Sequence, residues 1–218
     1  LRTPLTSISG NANNLLSNGN LFDTKTKEQM YTDIYDDAMW LINLVENLLS
    51  VSRLEEGRMN LHVSTELMDE IVAEALRHIN RKSVEYHLNV QSSDEYLLVQ
   101  VDAKLIIQVI INIVDNAIKY TPPGSEIDIG WRKQENFVYV SVSDNGPGIP
   151  DQAKPHIFDM FYSVSNQIAD SRRSMGLGLA LCKSIINAHG GEITITDQLP
   201  HGSIFTFSVP AGEVELHE

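Results

Sequence analysis

The sequence predicts an α+β protein: a helical hairpin that forms a four-helix bundle in a dimer, followed by an α/β sandwich. Two observations support this prediction. Apolar residues before Gly57 recur with alternating steps of four and three, which is the spacing of a heptad seam. After Gly57, short alternating segments that indicate strands are mixed with helical segments, and they lack the βαβ rhythm of a parallel sheet.

The predicted hairpin carries one apolar seam on each helix. The seam positions are Leu1, Leu5, Ile8, Ala12 and Leu15, then Ile34, Ala38, Leu41, Val45, Leu48 and Ser52. Residues 17–20 are a turn signal, Asp23 or Thr24 can cap a second helix over 25–56, and Gly57 can end it. A single hairpin buries such a seam poorly, so we expect a homodimer through residues 1–57. The alternative is that the hairpin packs on the rest of its own chain.

The region after the hairpin predicts one sheet with helices on one face, in a domain over 58–212 with a tail over 213–218. Strands are predicted at Met59–Val63, Glu85–Val90, Tyr96–Val101, Ile127–Arg132, Phe137–Val142, 192–197 and 203–209, paired as hairpins. Helices are predicted at Leu67–Ile79, from a cap at Asp102 to Ile118, and from Met175 or Gly176 to His189. Residues 163–175 lack a period and predict a loop.

Composition limits the classes of partner. The formal net charge of −13 gives no electrostatic help in binding nucleic acid, so we expect no direct contact with it. No apolar run approaches the ~18 residues of a membrane span. The chain starts with Leu rather than Met, so we expect a soluble piece of a longer protein, and the single Cys182 fits a reducing compartment.

The first candidate site is the helical segment that contains Asn112, Asn116 and Lys119. Positions i, i+4 and i+7 share one helix face, and the two amides lie among apolar residues. Amide oxygens suit Mg²⁺ and an ammonium group suits phosphate. The simpler interpretation is a polar edge that faces solvent.

The second candidate is Asp144-Asn145-Gly146-Pro147-Gly148, which follows an alternating strand. Glycines allow a ligand close to the backbone, and a carboxylate at the strand end can accept a hydrogen bond from an amino group such as that of adenine. These residue types are equally typical of a tight turn.

The third candidate is Gly176-Leu177-Gly178 at a predicted helix start. Glycines there expose amides and the positive end of the helix dipole, which suits phosphate. The segment lacks the Gly-Lys-Ser/Thr of a P-loop and the surrounding βαβ unit of a dinucleotide fold. An ordinary helix start with two glycines is the alternative.

The order of the three segments resembles the ATP-binding fold shared by histidine kinases, type II topoisomerases, MutL proteins and the ninety-kilodalton heat-shock chaperone. Within that group the resemblance is to bacterial two-component sensor histidine kinases. It rests on Leu1–Thr6, Phe158-Asp159-Met160-Phe161-Tyr162, Ala188–Ile193 and Gly202-Ser203-Ile204-Phe205, and it covers residues 1 to 210. The first and last segments resemble potassium-responsive sensors of the Kdp type.

The resemblance implies roles for individual residues, with ATP and Mg²⁺ as cofactors. Asn116 would hold Mg²⁺ with Asn112 beside it, Lys119 and Tyr120 would contact phosphates, and Asp144 would bind the adenine amine. Gly146 and Gly148 would allow close approach, while Gly176, Leu177 and Gly178 would hinge a lid over 163–175 and offer amides. Arg172 and Arg173 could reach a phosphate, although solvated arginines are the alternative. Thr3 would orient water when the kinase dephosphorylates its partner, a response-regulator receiver domain.

The resemblance also places the phospho-acceptor histidine two residues before Leu1. We therefore expect a cytoplasmic portion of an inner-membrane-anchored sensor whose membrane contact lies in upstream segments. Met160, Ser163 and Ser174-Met175 depart from the usual family residues. These departures leave open a non-catalytic, dimeric nucleotide-binding and regulator-docking module. An ATPase of the topoisomerase or MutL type is a third possibility, but Asp115 is poorly placed to activate water beside Asn116.

Overall fold

The computed structural model describes residues 2–55, 61–79, 85–92, 96–162 and 176–213, without the side chains at 43, 46–48 and 50–55. The chain divides into two compact units, Leu1–Ser50 and Val51–Glu218. The boundary predicted after residue 57 stays a prediction, and Leu1 and the tail at 214–218 lie outside the described residues. In the described part of the chain, no helix combines the length and apolar character needed to span a membrane.

The first unit is the helical hairpin that the heptad spacing predicts. Helix α1 (Arg2–Asn18) leads through a 3₁₀ turn (Gly19–Leu21) into α2 (Thr24–Glu55). Asp23 is the cap, because its Oδ1 accepts a hydrogen bond of 2.7 Å from the Thr26 N–H. Hydrogen bonds from the side chain and then the backbone of Thr26 lower the pKa of Asp23. The predicted end at Gly57 lies outside the described residues.

The faces of the hairpin differ in exposure. Seam residues half-buried in the single chain are Ile8, Ala12, Leu15, Ile34, Ala38 and Leu41, whereas Leu5 and Val45 are exposed. A row of exposed apolar side chains also runs along α2 with steps of three or four residues: Tyr31, Tyr35, Met39, Ile42, Val45 and Leu49. This set, called here the α2 row, has the spacing of a helix face that a partner could cover.

The second unit contains three helices and seven strands among its described residues. The helices are α3 (Met68–His78), α4 (Ala103–Tyr120) and α5 (Gly178–Ala188). The strands are β1 (Ser64–Leu67), β2 (His87–Ser92), β3 (Leu98–Val101), β4 (Glu126–Gln134), β5 (Phe137–Asp144), β6 (Ile193–Asp197) and β7 (Ser203–Pro210). The predicted α/β sandwich after a helical hairpin is thus confirmed.

The strand pairing corrects two predictions. There are two sheets among the described strands, one of order β2-β4-β5-β7-β6 and a smaller β1-β3 pair, rather than one. Strands β2 and β3 are not a hairpin: β3 pairs antiparallel with β1, and β2 pairs in parallel with β4 across a connection that includes α4. The sequence lacks a repeated βαβ pattern, and this led to the prediction of hairpins alone. A single parallel crossover produces no repeat in the sequence, so it could not be recognised from such a pattern.

Two element starts and one helix cap also differ from the prediction. Residues 61–63 are irregular, and the strand expected at Met59–Val63 begins at Ser64, while 59 and 60 lie outside the described residues. Helix α5 begins at Gly178 rather than at Met175 or Gly176. Asp102 does precede α4, but its side chain accepts a hydrogen bond from the His62 N–H instead of capping the helix.

One face of the large sheet and the three helices form the core. Inward residues alternate along β4 and β5, so Ile127, Ile129, Val138, Val140 and Val142 are buried. Helix α4 lies between α3 and α5 and buries one apolar face. His189, at the end of α5, is buried, and its Nε2 accepts a hydrogen bond of 3.0 Å from the Asp102 N–H at the start of α4. These contacts fix α4 and α5 against each other.

Candidate nucleotide-binding site

Helix α4 carries the asparagines on the edge of its buried face. Ile113 and Ala117 on either side are buried, which leaves Asn112 and Asn116 half-buried. The Asn112 Nδ2 atom is buried without a nitrogen or oxygen acceptor among the described residues, and the side chain interacts instead with the weakly accepting Cys182 thiol. Its Oδ1 accepts a long bond of 3.5 Å from Gln108. An unpaired buried amide costs free energy, so a ligand that supplies an acceptor would stabilise this position.

Helix α5 brings its first glycine to Asn112. A Cβ atom on Gly178 would lie 3.7 Å from both Cγ and Oδ1 of Asn112. The start of α5, whose first N–H groups have no partner within the helix, therefore lies beside the Asn112 side chain, and a helix N-terminus is suited to an anion. Leu177 is buried and anchors this helix start.

The turn after β5 adds a carboxyl group. Asp144 is buried, and its Oδ1 accepts a hydrogen bond of 2.9 Å from the Gly146 N–H. Burial raises the pKa of Asp144, and the N–H groups of Gly146 and Ser203 partly oppose that rise. A Cβ on Gly146 would lie 2.5 Å from Cγ2 of Thr121, the residue after α4, so only glycine fits.

Gly176 closes the base of the segment that the sequence predicts as a lid. Its φ of 63° is in the left-handed region, and a Cβ there would overlap the backbone of Tyr162. Its carbonyl accepts a bond of 3.0 Å from the Phe161 N–H. Gly176 is thus required for the close approach of the two chain ends that flank 163–175, a segment that lies outside the described residues together with Arg172 and Arg173.

Lys119 and Tyr120 end α4 on the exposed side. The Lys119 Nζ lies 5.0 Å from the centroid of the Tyr120 ring, and Tyr120 is exposed. The residue Asp115 is also exposed as a whole. Its carboxyl group is nevertheless partly desolvated by the surrounding atoms, which raises its pKa to about 6. Thr3 lies in α1, in the other unit, and is exposed.

The second and third candidate segments thus both approach the helix that carries the first. Gly178 lies beside Asn112 of α4, and Gly146 lies beside Thr121, the residue that follows α4. Sequence reasoning missed Thr121, which directly follows the segment it singled out, and His201. It named Gly202 for the resemblance but did not predict that His201 and Gly202 contact the Asp144 turn. Only the glycine pattern around Gly202 could have indicated the latter contact. Gly148 has a φ of 75°, which agrees with its predicted place in a turn.

No group of three or more His, Cys, Asp or Glu side chains within the described ranges could hold a metal ion. A cation would therefore depend on amide oxygens and on the phosphates of a ligand. Asn116 has the required chemistry, because its side-chain oxygen is a hard donor and the residue is half-buried on α4. A cavity of about 380 Å³ lined by Gln100, Lys133, Asn136, Ala211 and Glu213 lies at the opposite end of β5 from Asp144 and contains none of these residues.

Comparison with known proteins agrees with this arrangement. Residues 101–213 match the family model of histidine kinase-, DNA gyrase B- and HSP90-like ATPases, and residues 1–57 match the His Kinase A (phospho-acceptor) domain. The chain belongs to this ATPase family, and together the two domains are the core of a two-component histidine kinase.

Within that class the chain is KdpD-like. It is 41% identical over 210 residues to the sensor protein KdpD of Clostridium acetobutylicum, covering 96% of this chain and 23% of the relative. It is 32% identical to KdpD of Escherichia coli, covering 100% of this chain and 24% of that protein. The chain thus spans about a quarter of the length of these relatives.

Solved structures show the same fold. The histidine kinase AdeS of Acinetobacter baumannii superposes with a TM-score of 0.77 at 24% identity, with 98% of each chain covered. The histidine kinase ThkA, solved in complex with the response regulator TrrA, superposes with a TM-score of 0.74 at 27% identity, over 97% of this chain and 58% of that one.

Proposed function

We propose that this chain binds ATP with Mg²⁺ and, as a sensor histidine kinase core, transfers the γ-phosphoryl group to a histidine and then to an aspartate of a response regulator. The observation that carries the proposal is the position of Asn112: its buried Nδ2 has no nitrogen or oxygen acceptor among the described residues, and its side chain lies beside the start of α5. The family match supports the same ligand.

In this proposal each candidate segment binds a different part of the nucleotide. Asn116 would ligate Mg²⁺, and Asn112, Lys119 and Tyr120 would lie along the phosphates. The backbone from Gly176 through Leu177 to Gly178 would donate N–H groups to the phosphates. Asp144 would accept a hydrogen bond from the adenine amine through its carboxyl group, and Gly146 and Gly148 would let the base lie close to the backbone.

The contribution of these residues to catalysis is position and charge rather than proton transfer. Mg²⁺, when bound, would neutralise charge that develops on the transferred phosphoryl group. Asn112 would donate to a phosphate oxygen, while the α5 dipole would favour negative charge at the same place. None of these groups is a strong base, so activation of the histidine nucleophile would depend on residues beside that histidine.

The partners in this proposal are a second copy of the chain and a receiver domain. The exposed α2 row supports a homodimer through residues 1–57, because a partner helix would cover it. The ThkA–TrrA complex supports docking of a response regulator. Thr3 is exposed on α1, so it can contribute to the dephosphorylation proposed for it. The reaction needs ATP and a response regulator, so the proposal places the core in the cytoplasm and any membrane anchor outside these residues.

Binding of ATP tests the nucleotide part of the proposal. We expect calorimetry in the presence of magnesium to show ATP binding, and Asn116→Ala to weaken it at least tenfold because the cation loses its protein ligand. Asn187→Ala, an exposed change at the end of α5, is the matched control and should bind as the unaltered chain does. Equal affinities for all three proteins would contradict the assignment of Asn116.

Phosphoryl transfer is tested with γ-labelled ATP. A chain extended at its N-terminus to include the acceptor histidine implied by the resemblance should acquire acid-labile label and lose it to a receiver domain. ATP binding without label in the extended chain would instead indicate the non-catalytic, regulator-docking module.

A further inference from the structure

The turn between β6 and β7 lies against the turn that carries Asp144. Its residues 198–202, called here the supporting turn, are closed by a hydrogen bond of 3.1 Å from the Gln198 N–H to the Gly202 carbonyl. Directly after it, Ser203 pairs with Asp144 in the β5–β7 ladder. The two turns are therefore held at the same end of the sheet.

Backbone contact between the turns is close. Gly202 has a φ of 125°, and a Cβ atom there would overlap the Asp144 carbonyl. A Cβ on Gly148 would lie 3.2 Å from the Gly202 carbonyl oxygen. Glycine is required on both sides, so the supporting turn limits how far the Asp144 turn can move in its direction.

His201 adds a side-chain contact to this backbone contact. Its Nδ1 lies 3.2 Å from the Gly146 carbonyl oxygen and donates to it, either as the Nδ1–H tautomer or as the cation. Gly146 is then held at both of its polar groups, because its N–H donates to the Asp144 Oδ1. The orientation of the Asp144 carboxyl group depends on that N–H, and so indirectly on His201.

We propose that His201 is a positioning residue for recognition of the purine base: it fixes Gly146 and thereby helps to orient the Asp144 carboxyl group toward the base amine. The inference rests on the proposed function, because it assumes that Asp144 contacts adenine. It assigns a role to a residue that makes no contact with the nucleotide itself. It also predicts that His201 affects the base and not the phosphates.

The test compares two ligands on three variants. His201→Ala removes the donor, and His201→Asn keeps one, because an amide N–H can replace Nδ1–H. His78→Ala is the control, since His78 is exposed on α3 and bonds Glu74 rather than any residue of the candidate site. The ligands are ATP and inorganic tripolyphosphate, each with magnesium, and the dissociation constants are measured by calorimetry.

We expect His201→Ala to weaken ATP binding about fivefold, the effect of one ordinary hydrogen bond. Tripolyphosphate binding should stay unchanged, His201→Asn should recover most of the ATP affinity, and His78→Ala should match the unaltered chain. The inference is overturned if His201→Ala binds ATP normally, if both ligands weaken equally, or if Asn does not restore affinity. Absence of ATP binding by the unaltered chain would instead remove the proposed function, and the inference with it.

Discussion

The two units of the chain differ in how completely they bury their apolar residues. No described side chain of the hairpin is buried, and the α2 row exposes tyrosine, methionine, isoleucine, valine and leucine side chains to solvent. The second unit buries isoleucines and valines from α4, β4 and β5 completely. Both regions are rich in apolar residues, so composition does not distinguish them.

The difference shows that one unit satisfies its own hydrophobic pattern and the other needs a partner. A two-layer structure such as the second unit covers each apolar face with another layer of the same chain. A helical hairpin has only two helices, and apolar area remains on the outside of each. We therefore expect the stability of the second unit to be independent of protein concentration, and that of the hairpin to depend on it.

The largest effect is expected in the core of the second unit. Ile110 on α4 has no exposed surface, so Ile110→Ala should lower the free energy of unfolding by about 3–5 kcal/mol through lost burial and the cavity left behind. Urea unfolding at two protein concentrations measures this loss, which should be the same at both. Leu16→Ala, at a position that is 87% exposed on α1, is the control and should change stability by less than about 0.5 kcal/mol.

The hairpin should respond through association. Ile42→Glu places a charge in the middle of the α2 row, once in each copy, so we expect the dimer dissociation constant to rise by about 100-fold or more. Light scattering over a dilution series measures the change. Leu16→Glu, on an exposed position of α1 outside the row, should leave the dimer intact. A monomer in the unaltered protein at micromolar concentration would contradict the homodimer and favour packing of the hairpin on its own chain.

The elements of both units that could be predicted from the sequence are those with a regular spacing of apolar residues. Heptad spacing is sufficient for two long helices, and the alternation of Val138, Val140 and Val142 is sufficient for a half-buried strand. The candidate site residues Asn112, Asp144 and Gly178 were selected because they stand in short segments of recognisable type, and their roles stay predictions. The presence and type of most elements therefore followed from sequence alone.

Features that depend on residues distant in sequence were not predicted. The parallel pairing of β2 with β4 involves no turn whose residue types would reveal it. The Asp102 carboxyl group was expected to cap α4, but the His62 N–H competes for it from forty positions away. The same applies to His201 and Gly202, whose contact with the Asp144 turn arises only when β7 pairs with β5.

The substitution Asp144→Asn in the second unit should affect ligand binding without lowering stability. The pKa of Asp144 is raised by burial, so the ionised carboxylate costs folding free energy at neutral pH, and Asp144→Asn removes that cost. We expect its melting temperature to equal or exceed that of the unaltered chain, while ATP affinity falls about 10- to 100-fold because a charged acceptor is lost. Asp33→Asn on α2 is the control. A matched fall in both quantities would mean that Asp144 acts through folding.

The smallest effect should come from Asp115, whose pKa is raised to about 6 by the atoms around it. A carboxyl group with a raised folded-state pKa costs nothing where both states are protonated. Its cost grows as pH rises from the ordinary pKa of 3.8 to about 6 and is constant above that. Asp115→Asn should therefore stabilise the second unit more at pH 8 than at pH 5. Because the residue is exposed, water screens the charge, and the gain at pH 8 should be only about 1 kcal/mol.

Urea unfolding at the two pH values measures the gain, and Glu28→Gln on α2 corrects for the loss of one negative charge from an acidic protein. A gain from Asp115→Asn that is equal at both pH values, or equal to that of Glu28→Gln, would show that the carboxyl group is hydrated as a surface group is. In that case burial would raise the pKa of Asp144, the carboxyl group proposed to contact nucleotide, but would leave Asp115 an ordinary surface carboxyl group.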